Sequence, residues 1–340
     1  MVKAPTVSVH DVAKKAGVSI ATVSRCLNNP DAVRPQLQDR VHAAVKELGY
    51  VPHGAARALA SHKTRTIGAV IPTVDNTIFA AGVRGLQDFL SSQNYTLLLA
   101  STNYNLEEEY KQVEALVVRG IDGLMLVGTS HAPKTIKLLQ DRGIPFVETW
   151  SFDEQSPNPT VGFNNKAEIA KMVQHLVGLG HRTIGMIAGE TTDNNRAEAR
   201  LLGAKETLVK LGIQPLEHLF IECKYDVDQA REVFRKLWFA TPRPTAIICG
   251  IDVIAYGALY EADKMGISVP KEVSITGFDD LEFSRIIQPP LTTLKVPSYE
   301  MGNMAARKLL EAIEFNRPPQ SVRIDAKLMI RESTARPRAE

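Results

Sequence analysis

Cysteine is scarce in this 340-residue sequence. There are three, Cys26, Cys223 and Cys249, odd in number and far apart, with no CxxC. That spacing offers no disulfide framework and points to a reducing compartment. Long apolar runs are missing as well. No stretch approaches the ~20 residues that a membrane span needs. The first thirty residues hold no apolar core of the signal-peptide kind. The expectation is a cytoplasmic chain without a membrane partner.

Catalytic signatures are equally thin. Neither GxGxxG nor GxxxxGK(S/T) occurs, so dinucleotide and P-loop chemistry lack support. GTSHA (128–132) nearly spells the GxSxG nucleophile elbow but lacks its last glycine. The histidines, His175 and His181 included, have no HExxH spacing. Asp279 and Asp280 are adjacent, and adjacent carboxylates seldom converge as an acid/base pair. The reading is of a chain that is not an enzyme and needs no metal or cofactor.

What is present is divided unevenly. The net charge is +2, but residues 1–65 carry +6 and residues 66–340 carry −4. A basic head on a mildly acidic body suggests that the head meets a polyanion, although solubility alone could explain it. Residues 8–50 read as three short helices. Beyond residue 65 apolar strand-like runs alternate with amphipathic helices: TIGAVIP (66–72), YTLLLAS (95–101), DGLMLVG (122–128) and IPFVETW (144–150). Such alternation implies parallel βαβ units. RTIG then recurs, at Arg65–Gly68 and Arg182–Gly185, and each copy opens a strand. After the second copy come HLFIEC (218–223), TAIICG (245–250) and VSITGF (273–278). The fold class is α/β: a helical head, then two doubly wound parallel-sheet lobes. Ligands of such sheets sit beyond the carboxyl ends of the strands.

The head has the marks of a helix-turn-helix. In SVHDVAKKAGVSIATVSRCLNN, Ser8 and Asp11 stand in capping-box positions, Gly17 supplies a turn, and Ser19 can cap a second helix. Val12, Ala13, Ala16, Val23 and Leu27 form the inner faces. The competing reading is any small helical hairpin. In a helix-turn-helix the second helix enters the major groove. Its outward residues include Arg25, suited to guanine O6 and N7, and Ile20 and Ala21, suited to a thymine methyl. Ser8, Thr22, Ser24 and Asn28 are candidates for phosphate contacts.

HDVAKKAGVSIATVSRCLN, KELGYVPHGAARALA, HLVGLGHRTIGMIAG, RLLGAKETL and ITGFDDLEFSRIIQPPLTTL together resemble the LacI/GalR family of bacterial transcriptional repressors. The resemblance spans roughly residues 6–335. It implies homodimers on near-palindromic double-stranded DNA operators, controlled by a small metabolite. It also implies a division into a head at 1–52, a hinge helix and linker at 53–64, and two lobes resembling a periplasmic-binding-protein fold. These are an N-terminal lobe at 65–162 with 292–320, and a C-terminal lobe at 163–291 with 321–340. GAARALA (54–60) would be a hinge helix that orders when two copies pair on DNA, with Ala56 and Leu59 at the minor groove and Leu59 wedged into the central base step. An isolated helix this short is marginal in water. RESTARPRAE shows no leucine heptads, which favours a dimer over a tetramer.

The resemblance also assigns effector residues. Arg200 and Asp279 match the family's ligand-facing arginine and aspartate, Tyr225 an aromatic that covers the ligand, and Phe79 a contact after the first strand. Trp150, Asn194 and Asp252 follow strands and are further candidates. This set suits a hydroxyl-bearing ligand, with carboxylate and guanidinium taking hydroxyls or an acid group and aromatics covering C–H faces. Each has a plainer role open to it: Asp279 as a helix cap, Tyr225 as core, Arg200 in an ion pair. Ile251 stands where many sugar-responsive relatives have asparagine, which counts against a neutral hexose. TSHAPKTIKLLQDRGIPFVE and VGFNN resemble the gluconate-type branch, so the effector is a sugar or a sugar acid such as gluconate. The competitor is a cytosolic carbohydrate-binding protein with no role at a gene.

Overall fold

The computed structural model describes residues 7–28, 32–51 and 63–338. Chain contacts divide it into two units, Met1–Thr64 and Arg65–Glu340.

The first unit is helical: α1 (Val9–Ala16), α2 (Ile20–Asn28) and α3 (Pro35–Leu48). The Ser8 N–H donates to Asp11 Oδ2 at 2.8 Å, and Ser8 Oγ accepts from the Asp11 N–H at 3.4 Å, closing the capping box. Gly17 ends α1 at φ +62°, a left-handed conformation that glycine adopts without steric cost. Arg40 of α3 donates to the Ala16 and Gly17 carbonyls, satisfying acceptors that the helix end leaves open. Ser19 Oγ accepts from the Thr22 N–H at 3.1 Å and starts α2. Val12, Ala16, Val23, Cys26 and Val41 meet in a small core of their own.

The second unit is two-lobed. The first lobe is built from β1 (Thr66–Ile71), α4 (Thr77–Ser92), β2 (Thr96–Ser101), α5 (Leu106–Val118), β3 (Gly123–Val127), α6 (Pro133–Asp141), β4 (Phe146–Thr149) and β5 (Thr160–Gly162). The second takes α7 (Asn165–Gly178), β6 (Ile184–Gly189), α8 (Asn195–Lys210), β7 (Phe220–Cys223), α9 (Val227–Trp238), β8 (Ala246–Cys249), α10 (Asp252–Lys264) and β9 (Ser274–Thr276). Then follow β10 (Thr293–Lys295), α11 (Ser298–Phe315), β11 (Val322–Arg323) and β12 (Lys327–Met329). The first sheet is parallel in the order β11-β5-β4-β3-β1-β2, the second in the order β7-β6-β8-β9. Both RTIG copies open central strands that are buried on both faces, which is why each continues as an unbroken apolar run.

One boundary requires correction. Residues 321–340 were expected in the C-terminal lobe, yet Val322 and Arg323 pair with Val161 and Gly162 at the edge of the first sheet. The chain crosses again afterwards. Lys327–Met329 runs antiparallel to Thr293–Lys295, and Ser333 and Ala335 bond to Ile275 and Ser274 of the second lobe. No helix among the described residues is long and apolar enough to cross a membrane.

Candidate functional site

In the head, α2 turns Val23 and Cys26 inward and leaves Ile20, Ala21, Ser24 and Arg25 exposed. Ile20 is 39% exposed, a large apolar residue that the fold leaves uncovered. Thr22 is half-buried, with its hydroxyl 2.9 Å from Ser19 Oγ. Ser8, at the N-terminus of α1, donates its hydroxyl to Asp11 Oδ2 at 2.7 Å. These bonds hold the Asp11 carboxyl below its usual range. The side chain of Asn28, and Ala56 and Leu59, lie outside the described residues.

In the body, strand ends of both lobes face one cleft. An outer cavity of about 460 Å³ is lined by Asn76 and Tyr104 from the first lobe and by Glu190, Asn194, Lys224 and Tyr225 from the second. Behind it lies an inner space of about 20 Å³, bounded by Phe79, Trp150, Arg196, Arg200, Tyr225 and Asp279. Six of the seven expected effector residues thus meet around one cleft. Phe79 and Trp150 pack edge to face with centroids 5.2 Å apart. Asn194 caps α8 and donates to Tyr225 Oη at 2.9 Å, which fixes the tyrosine at the boundary of the two spaces.

Asp252 is the exception and is corrected to a structural role. It lines neither space. Its Oδ1 accepts from Thr293 Oγ1 at 2.6 Å, and its Oδ2 accepts from Ser284 Oγ at 2.6 Å and the Leu281 N–H at 2.8 Å. Three donors occupy it and anchor the segments after β9.

The inner space holds polar atoms that the protein leaves unmatched. Trp150 Nε1, Arg200 Nε and Asp279 Oδ2 are buried and have no hydrogen-bond partner in the chain. Buried polar groups are ordinarily paired, and an unpaired one is costly. Here two donors and one acceptor belong to residues that line the same space. Burial, with the charge of Asp252, pushes the Asp279 carboxyl well up, against the pull of Arg200 and Arg196. Arg200 stacks on the Phe278 ring at 4.7 Å and donates to Asn165 Oδ1 at 2.8 Å. Asn165 in turn donates to the Trp150 carbonyl at 2.9 Å, tying one ligand-facing residue to another.

The backbone is strained at the same place. Asn103, Tyr104, Trp150 and Asp279 are non-glycine residues with φ of +51°, +61°, +58° and +124°. Each such residue costs on the order of 1–3 kcal/mol and persists when its surroundings impose it, typically at ligand clamps.

Sequence reasoning passed over Asn76, Tyr104 and Arg196. Asn76 was legible as the cap preceding Phe79. Tyr104 and Arg196 follow β2 and β6 at the strand ends where the α/β rule places ligand residues, and that position was the available signal. Among the described residues no cluster of His, Cys, Asp and Glu is arranged to hold a metal.

The description "Bacterial regulatory proteins, lacI family" matches residues 8–53, and "Periplasmic binding protein-like domain" matches residues 173–334. The HTH-type transcriptional repressor CytR of Escherichia coli (strain K12) is 32% identical over 329 residues, covering 96% of each chain. The HTH-type transcriptional regulator GntR of the same strain is 31% identical over 307 residues, covering 90% of this chain and 91% of that one. Among solved structures, the transcriptional regulator CelR in complex with cellobiose superposes with a TM-score of 0.72 at 28% identity, covering 96% of this chain and 99% of that one. These proteins are regulators and not enzymes. Matched by them in head and body alike, the chain belongs to the lacI family of bacterial regulatory proteins.

Proposed function

We propose that this chain is a homodimeric repressor of carbohydrate-utilisation genes, whose grip on a near-palindromic operator is set by a sugar or sugar acid, such as gluconate, bound between the lobes. The observation that carries the effector reading is the set of three unmatched buried atoms, Trp150 Nε1, Arg200 Nε and Asp279 Oδ2, on residues that line one inner space. A polyhydroxylated ligand supplies the acceptors and the donor that they lack. Phe79 and Tyr225 give its C–H faces apolar cover. The resemblance of 129–148 and 161–165 to the gluconate-type branch, and Ile251 on the inner wall, favour the acid.

At the operator, Arg25 reads guanine while Ile20 and Ala21 pack on thymine methyl groups. Thr22, Ser24 and Asn28 hold phosphates, and Ala56 and Leu59 serve the minor groove. The functional division is a head at 1–52, a hinge at 53–64 and two lobes from 65 onward. The effector acts through its differential affinity for two arrangements of the lobes, since equal affinity would shift nothing.

The test is fluorescence anisotropy with a labelled duplex from the promoter of the protein's own gene, with and without gluconate, at fixed salt. Salt is held because phosphate contacts make affinity steeply salt-dependent. Tight binding that gluconate alters supports the reading. Tight binding indifferent to gluconate removes that effector. Binding no better than to a scrambled duplex removes this operator assignment.

A further inference from the structure

The inner space holds two buried guanidiniums, and neither is in an ion pair. Arg196 and Arg200 are each 6% exposed. The arginine–carboxylate pairs among the described residues lie elsewhere, at Arg231, Arg235, Arg323 and Arg331. The hydrogen bonds of the two buried arginines go to neutral oxygens. Arg196 Nη1 donates to the Val127 carbonyl at 3.2 Å, and Arg200 Nη1 to Asn165 Oδ1. The one carboxylate that shares the space, Asp279, leaves its Oδ2 without a partner.

Arginine keeps its charge in proteins, and a buried charge is stable when it is paired. With two fixed positive charges against one carboxylate that burial drives toward neutrality, the space is short of negative charge. An anionic ligand supplies it; a neutral sugar does not.

Arg196 also stands where the lobes already meet. Val127 ends β3 of the first lobe, and Arg196 belongs to α8 of the second. Gly128 has φ +86°, and a Cβ there would run into Arg196 Nη1, so glycine is what lets the loop close over the guanidinium. The preceding Asn195 donates to Thr129 Oγ1 at 2.8 Å and Ser151 Oγ at 3.0 Å, and accepts from the Thr129 N–H at 3.1 Å. A ligand bound to Arg196 is therefore held by a segment that already bridges both lobes.

We propose that Arg196 is the residue that reads the effector's negative charge. The ligand is a polyhydroxy carboxylate whose acid group lies against Arg196 and Arg200 and whose neighbouring hydroxyl donates to Asp279 Oδ2. The inner space measures about 20 Å³ and is lined by both guanidiniums and by Asp279. This inference rests on the cleft being the effector site. It adds the residue that selects the ligand's charge.

The experiment is titration calorimetry on the full chain with D-gluconate, D-galactonate and D-glucuronate, each beside a neutral counterpart, D-glucitol, galactitol and D-glucose. D-glucose 6-phosphate is the fourth anion. Wild type, Arg196→Met and Arg196→Lys are compared, with circular dichroism as the check on folding. The expected result is a wild-type preference for at least one acid over its neutral partner. Arg196→Met shrinks that preference by roughly 30-fold or more, the scale for truncating one side of a buried charge contact, and Arg196→Lys restores part of it.

An acid preference that survives Arg196→Met overturns this inference and leaves the proposed effector class standing. Neutral members bound as tightly as the acids, or the phosphate bound more tightly than any acid, overturn it too. Binding of none of the seven probes removes the sugar reading of the cleft and this inference with it. Should Arg196→Met fail the folding check, Arg196→Gln, which keeps a polar side chain without the charge, takes its place, and an acid preference that survives it overturns the inference.

Discussion

Tyr104 and Tyr225 reach toward each other from opposite lobes, their ring centroids 5.5 Å apart and their planes inclined by 49°. Both line the outer cavity and the inner space, so the pair stands as a partition between them. Burial is the main reason that the Tyr104 hydroxyl resists ionisation, and its left-handed backbone holds the ring in place. Tyr225 is fixed by Asn194, which leaves Tyr104 as the member that must yield when a ligand passes.

Tyr104→Ala removes an aromatic pair worth about 0.5–1.5 kcal/mol. Ligand dissociation is expected to speed up by roughly 2- to 12-fold on that scale, while Tyr104→Phe keeps the ring and stays close to wild type. Stopped-flow fluorescence reads both, because Trp150 lines the inner space and reports its occupancy. Equal dissociation rates for the alanine variant and wild type would remove Tyr104 from the ligand's path.

Asp252 makes the opposite kind of prediction. It accepts from Thr293, Ser284 and the Leu281 N–H in a fully buried setting. Asp252→Ala leaves three donors without an acceptor, and one such group alone costs about 1–3 kcal/mol. A loss of at least about 3 kcal/mol in urea denaturation is expected. Asp252→Asn should fall between, because the Ser284 and Thr293 hydroxyls can turn toward the amide, whereas the Leu281 N–H cannot.

The contrast between Asp252 and Asp279 shows what was legible in the sequence. Both follow strands of the second sheet, and the α/β rule marks both positions as ligand-facing. The rule fixes where a strand ends but not which way the side chain turns. Asp252 turns toward a segment that returns some forty residues later, a non-local event with no periodic signal. The same blindness covers β5, β10, β11 and β12, each two or three residues long and set by pairing between distant segments. By contrast, the two RTIG strands, the Ser8–Asp11 capping box and the Gly17 turn depend on local chemistry, and each stands where it was read.

His131 gives the contact between the lobes at Thr129 and Asn195 a pH dependence. Its Nδ1 lies 2.9 Å and 3.0 Å from the Glu109 carboxylate oxygens, and its Nε2 lies 3.0 Å from the Gly128 carbonyl. Glu148 faces it from β4 at 3.8 Å, itself held by Asn158. With acceptors on both nitrogens, the imidazolium is the favoured form. Burial pushes His131 down, but the Glu109 hydrogen bond and the charges of Glu109 and Glu148 outweigh it, so the net shift is above the ordinary value of 6.5. Burial raises Glu148 in turn.

The sign follows from linkage. A histidine raised in the folded state contributes stability that is complete below 6.5 and is lost as pH rises through the folded value. His175 and His181 are lowered, mainly by burial, and act in the other window, where stability falls as pH drops below 6.5. The melting temperature is therefore expected to decline as pH rises above 6.5 and through the folded value, and His131→Gln should flatten that decline without touching the acid side. Because His131 bonds the Gly128 carbonyl next to Thr129, ligand affinity should weaken over the same alkaline range. A decline that His131→Gln leaves unchanged would place its cause in another group.

Arg25 carries the last prediction, because base reading and phosphate contact leave different traces. It is exposed on the face of α2 that also presents Ile20 and Ala21, while Val23 and Cys26 hold the helix to the head's core. Arg25→Ala should therefore fold normally. If Arg25 meets guanine O6 and N7, its removal costs about 1–3 kcal/mol on the operator and relaxes the choice of base at one position in each half-site. Binding to random duplex should change far less. If Arg25 meets phosphate instead, both duplexes weaken together and the salt slope falls by about one. Anisotropy titrations of both duplexes at several salt concentrations separate the two, and a common loss on operator and random DNA would return Arg25 to the phosphate backbone.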